Sequence, residues 1–167
     1  MKEPYISIIA AIGMNRAFGK DGKLLWQIPD DLDRFKLVTY GHPIIMSRET
    51  FDSIQPAAGK PMPDRPHIIV TDDPSWAYEG VAVVSSFDEA VAQAKSLDQQ
   101  EIFIRGGGEL YEAALPLSTR FYLTLVEDEK EGDSYFPVCP DYFKKKVFHE
   151  EREWNGIKYH WIEFERE

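Results

Sequence analysis

Apolar residues run almost unbroken from Tyr5 to Ile12 (YISIIAAI) and stop at Gly13. A run of that length with a glycine boundary predicts a strand buried on both faces. The signal recurs, shorter, at residues 42–46 (HPIIM), 67–71 (HIIVT), 81–84 (VAVV), 101–105 (EIFIR) and 120–126 (RFYLTLV). Between these runs the apolar spacing becomes helical. A helix is predicted from Pro29 to about Tyr40. Pro29 suits a first helical position, where its missing N–H costs nothing, and Asp30 and Asp31 place negative charge in the first turn. Phe35 follows Asp31 by four residues, and Leu32 pairs with Phe35 and Lys36, so one helix face carries a carboxylate beside an apolar patch. Further helices are predicted over 48–54, 87–95 and 109–115. In the second of these Phe87, Val91 and Ala94 form the stripe, and Ser85 and Ser86 offer N-caps.

Residues 13–23 (GMNRAFGKDGK) read as a polar, glycine-dotted loop able to act as a lid, and residues 55–66, with four prolines, must be irregular. Two strand-like stretches at the end, 145–153 and 157–165, flank Asn155-Gly156, a strong hairpin signal. In the second stretch Ile157, Tyr159 and Trp161 fall on one face and Ile162 and Phe164 on the other, which predicts a bulge near Trp161. Strands alternating with helices predict an α/β fold, a single domain over residues 1–167. Its central sheet is mixed and mostly parallel, flanked by short helices, with a C-terminal antiparallel hairpin.

Charge narrows the function. The chain has 167 residues and a formal net charge of −10, which excludes the basic footprint that nucleic acid or an anionic membrane requires. The one basic run, Lys144-Lys145-Lys146, reads as an exposed strand or turn face. Cys139 is the sole cysteine, so no intrachain disulfide can form and a reducing compartment fits. The four histidines are scattered without metal-ligand spacing, so no metal is expected. No signal-peptide core and no membrane-length apolar run is visible, and a cytoplasmic protein is expected.

Three places carry candidate chemistry. A strand running into Gly106-Gly107-Gly108 and then a helix lets backbone approach a ligand and turns free N–H groups toward an anion, although a triple glycine also serves as a plain tight turn. Neither the G-x-G-x-x-G fingerprint nor a Walker lysine is present. Ser47-Arg48-Glu49-Thr50 forms a second strand-to-helix junction, and two such junctions suit the two ends of a dinucleotide. Asp31 lies in an apolar setting near Trp26, where a carboxylate can hold a proton near neutral pH; it can equally serve as a helix cap. Arg65, beside stiff proline-rich backbone, can clamp a carboxylate or simply be solvated.

Taken in order, these motifs resemble the dihydrofolate reductase family. The resemblance is carried by Ile9-Ala10-Ala11, Asn15-Arg16-x-x-Gly19, Leu24-Leu25-Trp26-x-Ile28-Pro29-x-Asp31-Leu32-x-x-Phe35-Lys36 and Met46-Ser47-Arg48-x-Thr50-Phe51. It continues through Pro61-Met62-Pro63-x-Arg65, Gly106-Gly107-Gly108-x-Leu110-Tyr111, Tyr122-Leu123-Thr124 and Glu131-Gly132-Asp133-x-x-Phe136-Pro137, and so spans essentially the whole chain. It implies reduction of 7,8-dihydrofolate to 5,6,7,8-tetrahydrofolate by hydride from NADPH, in a monomer that also binds antifolate inhibitors.

The resemblance also implies roles. Asp31 would bind the pterin and promote protonation at N5, supported by Thr124, with Trp26 packed over the site and Tyr111 beside the nicotinamide. Ile9, Leu32, Phe35, Lys36 and Ile54 would line the substrate pocket, and Arg65 would pair with the substrate's glutamate carboxylate. NADPH would be held by Ala11, Ala17, Phe18, Gly19, Lys23, Arg48, Glu49, Thr50, Thr71 and Asp72, and by the turn Gly106, Gly107, Gly108, Glu109, Leu110 and Tyr111, with a cis peptide between Gly106 and Gly107. Arg48 would be the main positive group for the cofactor's 2′-phosphate. The chain departs from the family pattern at Ser47 (usually glycine), Leu25 (usually proline) and Arg105 (usually aliphatic), and residues 55–60 lengthen a loop. Two alternatives follow: a same-fold reductase of another heterocycle, such as the riboflavin-pathway pyrimidine reductase, or a non-catalytic folate- or nucleotide-binding relative.

Overall fold

In chain order the elements are β1 (Tyr5–Gly13), β2 (Ala17–Lys20), β3 (Lys23–Leu24), α1 (Pro29–Thr39), β4 (Ile44–Ser47), α2 (Arg48–Ile54), β5 (His67–Val70), β6 (Val81–Val84), α3 (Phe87–Leu97), β7 (Glu101–Gly106), α4 (Gly108–Ala114), β8 (Arg120–Val126), β9 (Ser134–Tyr135), β10 (Lys145–Trp154) and β11 (Ile157–Glu165). They come from a computed structural model that describes residues 3–21, 23–54, 63–98, 100–137 and 142–166, the side chain of Ile54 excepted. Residues 55–62, where a long irregular loop is expected, lie outside the described residues.

Eight strands form one sheet in the order β10-β11-β8-β1-β7-β4-β5-β6. From β8 to β6 every neighbouring pair is parallel, whereas β11 runs antiparallel to β8 and β10 antiparallel to β11. The unbroken apolar runs follow from this arrangement, because interior parallel strands are covered on both faces. Ile8, Ile45, Ile68, Ile102 and Ile104 are fully buried on the face packed by α3 and α4. On the other face, toward α1 and α2, Ile9, Ile44, Met46, Ile69 and Phe103 are buried with Phe35 and Phe51. Among the described residues no helix is long and apolar enough to cross a membrane.

Several sequence-based expectations are corrected. Residues 13–23 are not a plain loop: β2 pairs antiparallel with β3 and with the distant β9, making a second, three-stranded sheet. Leu25 adds its N–H to this hairpin, donating to Phe18 O at 3.1 Å, a bond that a proline there could not make. The strand expected at 42–46 begins only at Ile44, since Pro43 has no N–H, although its carbonyl still accepts from Phe103 (3.0 Å). The strand expected at 67–71 ends at Val70, α3 runs on to Leu97, and α4 starts one residue early, at Gly108.

Asn155 and Gly156 both have positive φ (51° and 78°), as a tight hairpin turn demands, so β10 reaches Trp154. No bulge lies at Trp161. Strand β11 holds an unbroken register with β8 from Tyr159↔Val126 to Glu165↔Arg120, and the irregularity sits on β10 between Lys146 and Phe148. Apolar residues occupy both faces of β11 because both are covered. Tyr159 packs with Trp26 and Val126 on one side, and Ile162 joins the main core on the other.

Candidate active site

The carboxyl-terminal ends of β1, β4, β5 and β7 border a cavity of about 590 Å³. This is where ligands bind in an open parallel sheet. Ile9 and Ala11 come from β1, Ser47 from the end of β4, Val70 and Thr71 from the end of β5, and Arg105 and Gly107 from the end of β7.

Asp31 lines this cavity from the first turn of α1. Pro29 at the helix start and the bonds from the Asp31 and Leu32 N–H groups to Ile28 O (3.1 Å each) fix that turn. Two donors meet on one oxygen of the carboxylate: Thr124 Oγ1 donates to Oδ1 at 2.5 Å and Trp161 Nε1 donates to the same oxygen at 2.9 Å. Among the described residues nothing donates to Oδ2. Hydrogen bonds from a hydroxyl and an indole hold the plane of the carboxylate and leave one oxygen for a ligand's donor edge. Trp26 stands on the cavity wall with its Nε1 donating to Asp128 Oδ2 (3.1 Å). Its ring lies so close to Gly13 that a Cβ there would sit 2.5 Å from Cη2.

The glycine turn borders the same cavity. The Gly106–Gly107 peptide is cis, and Gly106 has φ +119°, with no room for a Cβ against the Tyr111 ring. Tyr111 donates its hydroxyl to Ile9 O (3.0 Å) and to Arg105 O, tying β1 to β7, and burial pushes its pKa up. Its N–H makes the first bond of α4, to Gly107 O (3.0 Å), so the N–H groups of residues 108–110 precede the helical ladder and have no carbonyl partner within it. Ser47, where the family pattern has glycine, accepts from Gly107 N and from Thr50 N, both at 3.2 Å, and so ties the turn to α2.

Most of the residues singled out in the sequence converge. Ile9, Ala11, Phe18, Gly19, Lys23, Trp26, Asp31, Phe35, Glu49, Thr50, Thr71, Asp72, Gly107, Gly108, Glu109, Leu110, Tyr111 and Thr124 all line the one cavity. Others lie off the lining. Ala17 is fully buried in β2, Gly106 is buried behind the turn, and Leu32 is 46% exposed. Lys36 is exposed, and its carbonyl accepts from Arg65 Nη2 (2.7 Å); Arg65 also donates to Pro63 O. Arg48 stands beside Asp52 and Asp73, each at 3.5 Å, and over the Trp76 ring. The side chain of Ile54 lies outside the described residues.

Sequence reasoning missed Trp161, Arg34, Lys20, Ser85 and Ser134. Arg34 lines the cavity from α1, pairs with Glu163 (3.0 Å) and stacks over Trp161, while Lys20, Ser85 and Ser134 add polar lining. An i+3 step from Asp31 could have pointed to Arg34; nothing local could have pointed to the others. The histidines are not all scattered either. The hairpin brings His149 Nε2 to 2.9 Å from His160 Nδ1, and one ligand atom each of Glu127, Glu151 and His160 lies within 4.8 Å of the others on the exposed sheet edge, away from the cavity.

Comparison with known proteins agrees with this geometry. The family profile described as "Dihydrofolate reductase" matches residues 5–166. The chain is 45% identical to the type 3 dihydrofolate reductase of Salmonella typhimurium over 132 residues, 79% of this chain and 78% of that protein. It is 38% identical to the dihydrofolate reductase of Bacillus subtilis over 164 residues, 96% and 94% of the two chains. Among solved structures, the dihydrofolate reductase of Enterococcus faecalis in complex with NADP(H) and RAB-propyl superposes with a TM-score of 0.86 and 27% identity, covering 97% of this chain and 96% of that one.

Proposed function

Because the chain belongs to the dihydrofolate reductase family, we propose that it reduces 7,8-dihydrofolate to 5,6,7,8-tetrahydrofolate with NADPH. The observation that carries this reading is Asp31, fixed on one oxygen by Thr124 and Trp161 and lining the same cavity as the glycine turn. A pterin presents its 2-amino and N3–H donors to such a carboxylate. Reduction of a C=N bond also needs a proton at nitrogen, and Asp31 is the ionisable group placed to promote it at N5. Ile9 and Phe35 supply apolar walls for the ring, and Trp26 excludes water above it.

The residues present fit a dinucleotide. A glycine cradle with open N–H groups, small Ala11 and Gly19, and the hydroxyls of Thr50, Thr71 and Ser85 leave a polar trough beside the apolar end. When bound, NADPH supplies the hydride from its nicotinamide C4 to the pterin C6. Phe18 and Tyr111, edge to face at 5.5 Å, wall the nicotinamide end. Thr50 and the start of α4 would hold the phosphates, with Glu49 lining the cavity beside them, and Arg48, shared with Asp52 and Asp73, would recognise the 2′-phosphate. Arg65, anchored on the Lys36 carbonyl, would take the glutamate carboxylate, and the exposed Leu32 and Lys36 would form the outer rim of the substrate site. The reading extends to one domain over residues 1–167, acting as a monomer in the cytoplasm and open to antifolate inhibitors.

A steady-state assay of purified protein with dihydrofolate tests the proposal. NADPH oxidation is expected with dihydrofolate, faster than with NADH, and none with the ribosylated pyrimidine of riboflavin synthesis. Tight methotrexate binding without turnover on either cofactor would sink it in favour of a binding protein.

A further inference from the structure

The cavity holds a cation that the proposed reaction does not use. Arg105 stands at the end of β7, its side chain lines the cavity, and its guanidinium lies 3.9 Å from the centre of the Phe35 ring. Among the described residues no carboxylate pairs with it, in contrast to Arg34 on the same lining, which has Glu163 at 3.0 Å. Burial draws its pKa below the ordinary arginine value while Tyr111 and Asp31 oppose that shift, and a guanidinium so placed remains charged. Asp31 acts on it through the field of its charge and not by contact, since among the described residues no ion pair or hydrogen bond joins the two side chains. One face of the guanidinium is stacked on Phe35, and among the described residues nothing accepts from its N–H groups, which leaves that edge open to a ligand.

We infer that Arg105 sets the ligand selectivity of this pocket, favouring a neutral 2-amino-4-oxo ring over a 2,4-diamino ring that docks as a cation. The inference rests on the reductase reading of the site. A 2-amino-4-oxo ring satisfies Asp31 with its 2-amino and N3–H donors while neutral, and its oxygen is an acceptor in a pocket with an unpaired guanidinium. A 2,4-diamino ring satisfies Asp31 only by taking a proton on the ring nitrogen, and presents a donor where the oxo ring has an acceptor. It therefore brings a second positive charge into a cavity whose arginine touches no carboxylate among the described residues, a repulsive element directed at one ligand class. Two like unit charges held in one cavity at an effective dielectric near 20 repel enough for roughly ten- to hundredfold discrimination.

The test is a matched ligand pair, a 2,4-diamino-5-benzylpyrimidine and its 2-amino-4-oxo counterpart, titrated by tryptophan fluorescence into the wild type and the Arg105→Ile, Arg105→Gln and Arg105→Lys variants. Both neutral variants are expected to tighten the diamino ring about ten- to hundredfold while the oxo ring binds equally or less well, and Arg105→Lys is expected to keep the wild-type ratio within about threefold. A ratio of the two Kd values unchanged in Arg105→Ile and Arg105→Gln would overturn the inference. So would a lysine variant that shifts it as far as isoleucine does, because the effect would then be one of shape. Binding is read without turnover, so a wild type that fails to reduce dihydrofolate would refute the reductase reading separately.

Discussion

At the scale of single residues, Asp31 is defined by groups that reach it from two strands of the sheet beneath α1. Trp161 pairs in register with Thr124 on the neighbouring strand, so both side chains project to the same face and meet one carboxylate oxygen. Trp161→Phe keeps the packing against Tyr159 but removes the indole donor. It is expected to weaken dihydrofolate binding about tenfold or more, the worth of one hydrogen bond to a charged group. Isothermal titration reads this directly, and an unchanged Kd would show that Thr124 alone holds the carboxylate. The sequence places Asp31 in an apolar helix turn near a tryptophan, but the tryptophan that bonds to it lies 130 positions away. Spacing along the chain cannot reveal a partner chosen by strand register. Thr124 was visible only through the family resemblance.

At the scale of elements, the glycine turn and α2 are joined through Ser47, whose Oγ accepts from the backbone of both. Ser47→Ala leaves the Gly107 and Thr50 N–H groups without that acceptor. The expected loss is about 1–2 kcal/mol, seen as a Tm about 2–6 °C lower by calorimetry. NADPH affinity should fall alongside, since the turn that faces the cofactor loosens. An unchanged Tm would mean that water replaces the hydroxyl at no cost. Elements with a local cause were legible in advance: α2 because a strand meets an arginine and a hydroxyl, the terminal hairpin because Asn155-Gly156 adopts positive φ. The small sheet of β2, β3 and β9 was not. Its central strand reads as a glycine-dotted loop, yet it pairs on one side with the short β3 and on the other with Ser134 and Tyr135, more than a hundred residues on. The apparent phase change in β11 misled for a related reason, since a strand covered on both faces needs no bulge to bury both sets of side chains.

Across the whole molecule, the apolar runs announce interior parallel strands, but they do not order them. That β1 lies between β7 and β8, and so brings Ile9 beside the glycine turn and Thr124, is a property of the assembled sheet. Assembly also buries His67 at the start of β5, with its Nδ1 against Arg65 O (3.0 Å). Burial lowers its pKa below 6.5, the backbone bond opposes that shift, and the Arg65 charge adds to it. Below pH 6.5 the unfolded chain therefore binds a proton that the folded protein refuses. Stability contributed by the neutral ring is full above that pH and is lost as pH falls toward the lowered value. Urea unfolding at several pH values should show this as a decline of at most about 1.4 kcal/mol per pH unit just below pH 6.5, absent from His67→Gln. The same decline in the variant would assign it to another group.

The most direct test is the rate of hydride transfer in a single turnover of Asp31→Asn with NADPH and dihydrofolate at pH 7. Asparagine keeps the size of the side chain and its acceptor oxygen but cannot promote protonation. The expected rate is lower than the wild type's by about a hundredfold or more, with dihydrofolate affinity held within about tenfold. A near-normal hydride-transfer rate would contradict the role of Asp31 and the reading of the site built on it.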